Sequence, residues 1–452
     1  RRDAALLLAL VALFPIRCFP AGGSMVSPAP SADGSRVFGF AVMGVGAFTL
    51  TGSSSVPSPL YPVYQEMWGF SAAVLTVVFA IYVVSLLATL LTVGALSDRI
   101  GRRPIIGAAM VILAISMVVF IFADNVGWLI AARIIQGLAV GTATGAVAAG
   151  MIDLQPNPRV GPLINSIAPS LGLGLGAAGA GLLVQFAPFP TVSSYALIVV
   201  LAIGIVIALL FVPENSQPTG FSSRGDALRA LKPSVALPQE VRAQFFLVLP
   251  CLMSAWALGG LYMSLGTSIV DVVFGIDDRL VAGLAVATLF TSGSVAAVLM
   301  RRFPELRVVV TGVVLLATGV VVVVGGLLSG VVAVYFVGTA IAGFGWGSTF
   351  LGAMGIVGRL GRSNQRAQIF ATTFVVCYLA FSVPAIGAGV ATGMFGLTAT
   401  AVGYSAIVAT LALTSGVVLV LRRPKPQPVR LEEVAPVPAE PHTGPVVVRT
   451  RS

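Results

Sequence analysis

Twelve apolar stretches, each long enough to cross a membrane, leave this chain almost no freedom of fold class. They run over 37–55, 71–93, 104–122, 128–150, 161–186, 191–212, 244–269, 280–300, 308–328, 332–355, 367–391 and 397–421. At 1.5 Å per residue a helix needs about 20 residues to cross a hydrocarbon core of roughly 30 Å. In lipid every backbone N–H and C=O must be satisfied within the chain, which long helices achieve. The expected class is an all-α polytopic membrane protein with twelve transmembrane helices in two six-helix halves.

Charge supports the same reading. Only 9% of residues are charged, against about 25% in soluble domains. A formal charge of +10 would suit a nucleic-acid partner if it were gathered in one patch, but it is spread over alternate loops. Arg36, Arg99, Arg102, Arg103, Arg159, Arg224, Arg301, Arg302, Arg359, Arg362 and Arg366 all fall on one side of the predicted layout. Glu66, Asp124, Asp271, Asp277 and Asp278 fall on the other, with Arg279 the one basic exception. The positive-inside rule then puts both termini in the cytoplasm, in a multi-pass protein of the cell membrane with no nucleic-acid partner.

Composition shifts divide the chain. Residues 1–36 read as an N-terminal arm, 37–212 as the first bundle, 213–242 as a polar cytoplasmic linker, 243–421 as the second bundle and 422–452 as a disordered tail rich in Pro, Glu and Arg. The first 24 residues have the basic start and short apolar core of a signal peptide. The preferred reading is that they lie outside the mature chain, with initiation near Met25. Pro57, Pro59 and Pro62 are expected to break the first span into an outer loop, with Tyr61, Tyr64 and Trp68 at the interface.

The halves echo one another. Shifted by 206 residues, Gly137, Gly141 and Thr142 fall on Gly343, Gly347 and Ser348, and a shift of 207 brings Asn157 and Arg159 onto Asn364 and Arg366. Internal repeats of this kind are how many transporter folds are built.

Chemistry-bearing clusters are scarce. Cys18, Cys251 and Cys377 have no metal spacing and imply no disulfide framework, the single histidine is His442 in the tail, and no phosphate-binding glycine loop occurs. A membrane enzyme needs metal ligands, paired acids or an activated nucleophile, so an enzyme or receptor is the remote alternative and no cofactor is expected. All 16 acidic residues fall in loops, span ends or tails.

The sharpest motif is Gly94-Ala95-Leu96-Ser97-Asp98-Arg99-Ile100-Gly101-Arg102-Arg103, a tight basic loop between the second and third spans. It matches every patterned position of G-x-L-[AS]-D-R-x-G-R-[RK] and so resembles the loop that marks the major facilitator superfamily of secondary transporters. The resemblance implies that Gly94, Asp98, Arg99, Gly101, Arg102 and Arg103 form a gating clasp, with Asp153, after span four, pairing with Arg99 or Arg102. Arg133-Ile134-Ile135-Gln136-Gly137 is similar to a second motif, R-x-x-Q-G, whose arginine is linked in that family to proton coupling. Arg133 and Gln136 are therefore coupling candidates, and an intramembrane charge is itself a mark of function, unless Arg133 snorkels to the surface.

The glycines of span five, Gly172, Gly174, Gly176, Gly179 and Gly181, partly match the G-P-x-x-G-G of exporters, with Ala177 where proline is expected and Pro384 at the repeat-related position. Substrate-binding candidates are Tyr82, Gln136, Trp256, Tyr262, Trp346 and Tyr378. Gln136, Trp256 and Trp346 are favoured by the spans that line the family's cavity. With no buried carboxylate, such a cavity suits neutral or amphipathic molecules better than cations. The resemblance implies a monomeric secondary transporter working by alternating access, with a small organic substrate and protons as partners, in proton-coupled efflux of drug-like or metabolite compounds. An uptake symporter or facilitator for a sugar or organic acid is the alternative.

Overall fold

The computed structural model describes residues 33–93, 96–157, 160–214, 220, 221, 223, 225, 235–361 and 365–422, apart from the side chains of Asp33, Asp98 and Ala367. The arm before residue 33, much of the linker and the tail after residue 422 lie outside the described residues. So do Cys18, Gly94, Arg159, Asn364 and His442.

Among the described residues there is no strand, and twelve helices are long and apolar enough to cross a membrane. Span one is Asp33–Ser55, followed by a 3₁₀ turn, Ser58–Leu60, and a short helix, Tyr61–Trp68. Span two is Ala72–Val93, and the single-turn helix Ser97–Ile100 leads into span three, Arg102–Ile121. Spans four to six are Val126–Leu154, Val160–Phe186 and Pro190–Leu209. Spans seven to twelve are Arg242–Phe274, Arg279–Met300, Glu305–Ser329, Val332–Gly358, Arg366–Phe395 and Leu397–Arg422. Among the described residues, alternate turns thus gather 96–101, 155–157, 210–214, 235–238, 301–304 and 359–361 at one end, the basic rim, and 69–71, 122–125, 187–189 and 275–278 at the other.

The helix starts are written locally. Asn125 sits in extended backbone and its Oδ1 accepts from the N–H groups of Gly127 and Trp128, at 2.8 and 3.3 Å, starting span four. Asp278 starts span eight in the same way, through Val281 N–H at 3.0 Å.

The prolines after span one do not open a loop. Pro59 lies within the 3₁₀ turn and Pro62 at the first positions of the helix, where a missing N–H costs nothing. Tyr61 and Tyr64 are buried rather than interfacial, because their hydroxyls find partners inside the bundle. Two acids also move. Spans four and seven continue past the lengths a bilayer requires, so Asp153 and Asp271 stand in the last turns of helices and not in loops.

Close packing is made by small residues, since lipid offers helices no hydrophobic reason to associate. The repeat echo has a structural meaning. Gly137 and Gly141 lie against the carbonyls of Tyr82 and Leu86 on span two, while Gly343 and Gly347 lie against those of Leu289 and Gly293 on span eight. Spans four and ten therefore each press a glycine pair onto the repeat-related neighbour. Spans nine and ten meet along two glycine rows of sevenfold spacing, Gly312, Gly319 and Gly326 against Gly338, Gly345 and Gly352. A Cβ at Gly345 would stand 2.1 Å from Leu316 N, whereas one at Gly325, on the same pair of spans, would meet nothing within 4 Å. Gly345→Val is expected to cost at least about 1–3 kcal/mol through overpacking, seen as a lower thermal unfolding midpoint in detergent, with Gly325→Ala unchanged or slightly higher.

Candidate functional site

Three groups of side chains occupy the basic rim, the far side of the first half and the seam between the halves.

At the basic rim the loop after span two is held from several directions. Gly101 has φ +109°, a conformation closed to side chains, and the turn brings the first N–H groups of span three onto Glu214. Glu214 accepts from Arg102 N–H at 3.3 Å and Arg103 N–H at 2.9 Å, an anion at a helix N-terminus. The Arg102 guanidinium pairs with the Asp153 carboxylate of span four. Arg103 donates to the Leu210 carbonyl at the end of span six, and Arg36 to the Asp153 carbonyl. Arg99 and Gly220 exchange a hydrogen bond in each direction. Of the two expected partners of Asp153, the structure pairs Arg102. Gly94 and the Asp98 side chain lie outside the described residues. From the sequence Glu214 is simply part of the polar linker 213–242; its role depends on the turn after span six, which carries it to the arginine loop five residues past the end of that helix.

The second half carries a matching pair of reversed polarity. Glu305, at the start of span nine, pairs with Arg359, which stands 206 residues after Asp153.

The second group explains a buried charge with no carboxylate. Arg133 is 0% exposed and does not snorkel. Nη1 donates to the Ser54 carbonyl at 3.1 Å and to Gln136 Oε1 at 2.7 Å, and Nη2 donates to the Tyr61 hydroxyl. Gln136 Nε2 donates to the Ser53 carbonyl at 2.8 Å. Both residues thus bind the last carbonyls of span one, which the break near Pro57 leaves without helical partners and which carry the negative end of a helix dipole. Three ring faces complete the cage, with the guanidinium carbon 5.5 Å from the centroid of Tyr61, 5.3 Å from Tyr82 and 5.8 Å from Phe120. Tyr82 also shares a 2.8 Å hydrogen bond with Ser54. Tyr82 and Gln136 are consequently engaged in holding span one.

The third group lies at the seam. Trp256 packs edge-on against Tyr378, Phe381 and Phe350, with centroids at 4.9, 5.6 and 6.1 Å, and Trp346 stacks on Phe350 at 6.1 Å. Phe79 of span two reaches across the seam to Phe381 at 5.2 Å. The sequence candidates Trp256, Trp346 and Tyr378 are therefore neighbours. Tyr262 stands apart, stacked on Tyr335 and bonded to Thr339 Oγ1 at 2.7 Å. Phe79, Phe350 and Phe381 were not singled out from the sequence, where phenylalanines in apolar runs carry no distinguishing mark.

The halves are joined at the end opposite the basic rim. Ser58 donates to the Met263 carbonyl, and Thr267 donates to the Ser58 carbonyl, both at 2.9 Å. Arg279 bridges Glu66 of the first half and Asp271 and Asp277 of its own half at 2.8–3.0 Å, and its N–H donates to Gln185 of span five. Gly181 and Gly283 let spans five and eight approach to backbone contact there.

A twelve-helix bundle of this architecture with this loop is a membrane transporter fold, and the chain belongs to the Major Facilitator Superfamily, whose family model matches residues 43–385. It is 26% identical over 182 residues to a multi-drug resistance efflux pump PmrA homolog of Lactococcus lactis, covering 38% of this chain and 44% of that protein. It is 24% identical over 190 residues to the 4-hydroxybenzoate transporter PcaK of Pseudomonas aeruginosa, covering 41% and 42%. The match spans less than half the length of these curated relatives. A POT family transporter solved in complex with 5-aminolevulinic acid shares the fold at TM-score 0.69 and 12% identity, over 85% of this chain and 95% of that one.

Tyr61→Phe keeps the ring over Arg133 and removes the hydroxyl acceptor. It is expected to cost about 1.5–3 kcal/mol, the worth of a hydrogen bond to a charged group, measured as a lower thermal unfolding midpoint of the purified protein.

Proposed function

We propose that this chain is a secondary active transporter that moves small organic molecules by alternating access, as a monomer in the cell membrane with both termini cytoplasmic. The rocking bodies are the bundles 37–212 and 243–421, joined by the linker 213–242. The observation that carries this reading is the asymmetry of the contacts between the halves. At the end opposite the basic rim, Ser58, Glu66 and Gln185 of the first half bind Met263, Thr267 and Arg279 of the second. The bonds described at the basic rim join residues within one half, or a half to the linker. A seam bonded across the halves at one end, with the hydrogen bonds described at the other end lying within a half or running to the linker, supports a two-state rocking mechanism.

The direction we propose is efflux of drug-like or metabolite compounds coupled to protons, in line with the drug-exporting relative. The clasp of Arg102 with Asp153 sets the balance between states, and Arg133 with Gln136 transmits movement of span four to the broken end of span one. Uptake or facilitated diffusion of an organic acid is the second reading. It is favoured by Arg133, a positive charge amid the first bundle, and by the name of the 4-hydroxybenzoate transporter.

Proteoliposomes holding a pH-sensitive dye test the two. Efflux by exchange predicts alkalinisation inside acid-loaded vesicles when a substrate is added. Substrate flux without proton movement would establish facilitation and remove the coupling claim. Asp153→Asn is expected to reduce flux roughly tenfold or more, the effect of losing one charged hydrogen bond from a single state, with folding intact by thermal unfolding.

A further inference from the structure

Two indole N–H groups in the aromatic cluster at the seam have no acceptor. Trp256 Nε1 and Trp346 Nε1 are both buried and without a hydrogen-bond partner among the described residues. A buried donor left unpaired is costly, and in a native protein it calls for a reason. Trp346 is 8% exposed, wedged between glycines: a Cβ at Gly293 would stand 2.6 Å from its ring, and one at Gly259 would stand 3.4 Å from its Nε1. Gly259 thus keeps side-chain bulk away from that N–H. Trp256 and Tyr378 remain only half-buried, although Trp256 stands mid-way along span seven, the most thoroughly enclosed span of the twelve. Phe79 and Phe381 put this cluster on the seam, where the moving halves meet.

The ring faces supply stacking surface, the indoles supply donors only, and no carboxylate stands among these side chains. Among the described residues, the charge buried in the first bundle is the guanidinium of Arg133, whose Nη1 and Nη2 are bonded to Ser54, Gln136 and Tyr61.

Resting on the transport reading above, we propose that this cluster binds planar aromatic compounds bearing a carboxylate or carbonyl, which accepts from Trp256 Nε1–H or Trp346 Nε1–H. Organic cations of the same ring size are rejected, because they bring no acceptor and find no anion. Gly259 is the specificity-determining position, since a methyl there occupies the space in front of the Trp346 N–H.

Calorimetric titration of the purified full-length chain with benzoate, 2-naphthoate and benzyltrimethylammonium tests this. The aromatic carboxylates are expected to bind and the ammonium to bind at least tenfold more weakly. Trp256→Phe and Trp346→Phe keep an aromatic wall while removing the N–H together with part of the ring, so the thermal unfolding midpoint is followed alongside binding. Each is expected to weaken 2-naphthoate about tenfold while the protein still unfolds cooperatively, and Gly259→Ala, which removes no packing, is expected to weaken it as well. The proposal is overturned if neither carboxylate binds, if the ammonium binds as tightly, or if both Phe variants bind 2-naphthoate as wild type does. Flux in the proteoliposome assay alongside such a result would leave the transport reading standing and remove only this substrate class.

Discussion

A positive charge cannot rest inside a bilayer-spanning bundle unless something there is negative, and much of the first half follows from how Arg133 meets that demand. No carboxylate is used. The guanidinium takes the carbonyls at the broken end of span one, an amide oxygen, a phenol and three ring faces. The break at Pro57 and the arginine therefore depend on each other: the break frees the carbonyls, and the arginine makes the break tolerable in a dry interior. Ser58, three residues past the end of span one, is also where the first half touches span seven. The compensation of one buried charge and a contact between the halves thus share a single turn of chain.

Packing supplies the second constraint. Span ten carries glycines on two faces, Gly343 and Gly347 toward span eight and Gly338, Gly345 and Gly352 toward span nine. Backbone contact on both sides leaves it little freedom of its own, so Trp346 rides on a rigid support. Spans five and eight use Gly174, Gly181 and Gly283 at the seam, where closeness joins two bodies.

The spans, their number and the basic loop were legible in the sequence because each depends on local signals: apolar length, glycine spacing and alternating loop charge. What was illegible depends on residues distant in the chain. Tyr61 and Tyr64 read as interfacial because a tyrosine beside prolines near a span end is most often that, and their partners Arg133 and Tyr195 lie some seventy and more positions on. Gln136 read as a cavity candidate because span four lines the cavity of the family the chain resembles, and only the fold reveals that its amide is bonded to Ser53 and Arg133. Trp256, Trp346 and Tyr378 were found as residue types, whereas their mutual contact and the phenylalanines completing it needed three dimensions. Asp153 and Asp271 were misplaced because helix ends past the bilayer are set by partners at the rims.

The two rims differ in sign, and this has an electrostatic consequence. Around Arg279 the acidic end carries Glu66, Asp271, Asp277 and Asp278, while the opposite end is fringed with arginines. Within a Debye length of about 8 Å at physiological salt, an anion is enriched at the basic mouth and depleted at the acidic one. The charge map alone therefore sets opposite local ion concentrations at the two ends, a difference that fades as ionic strength rises.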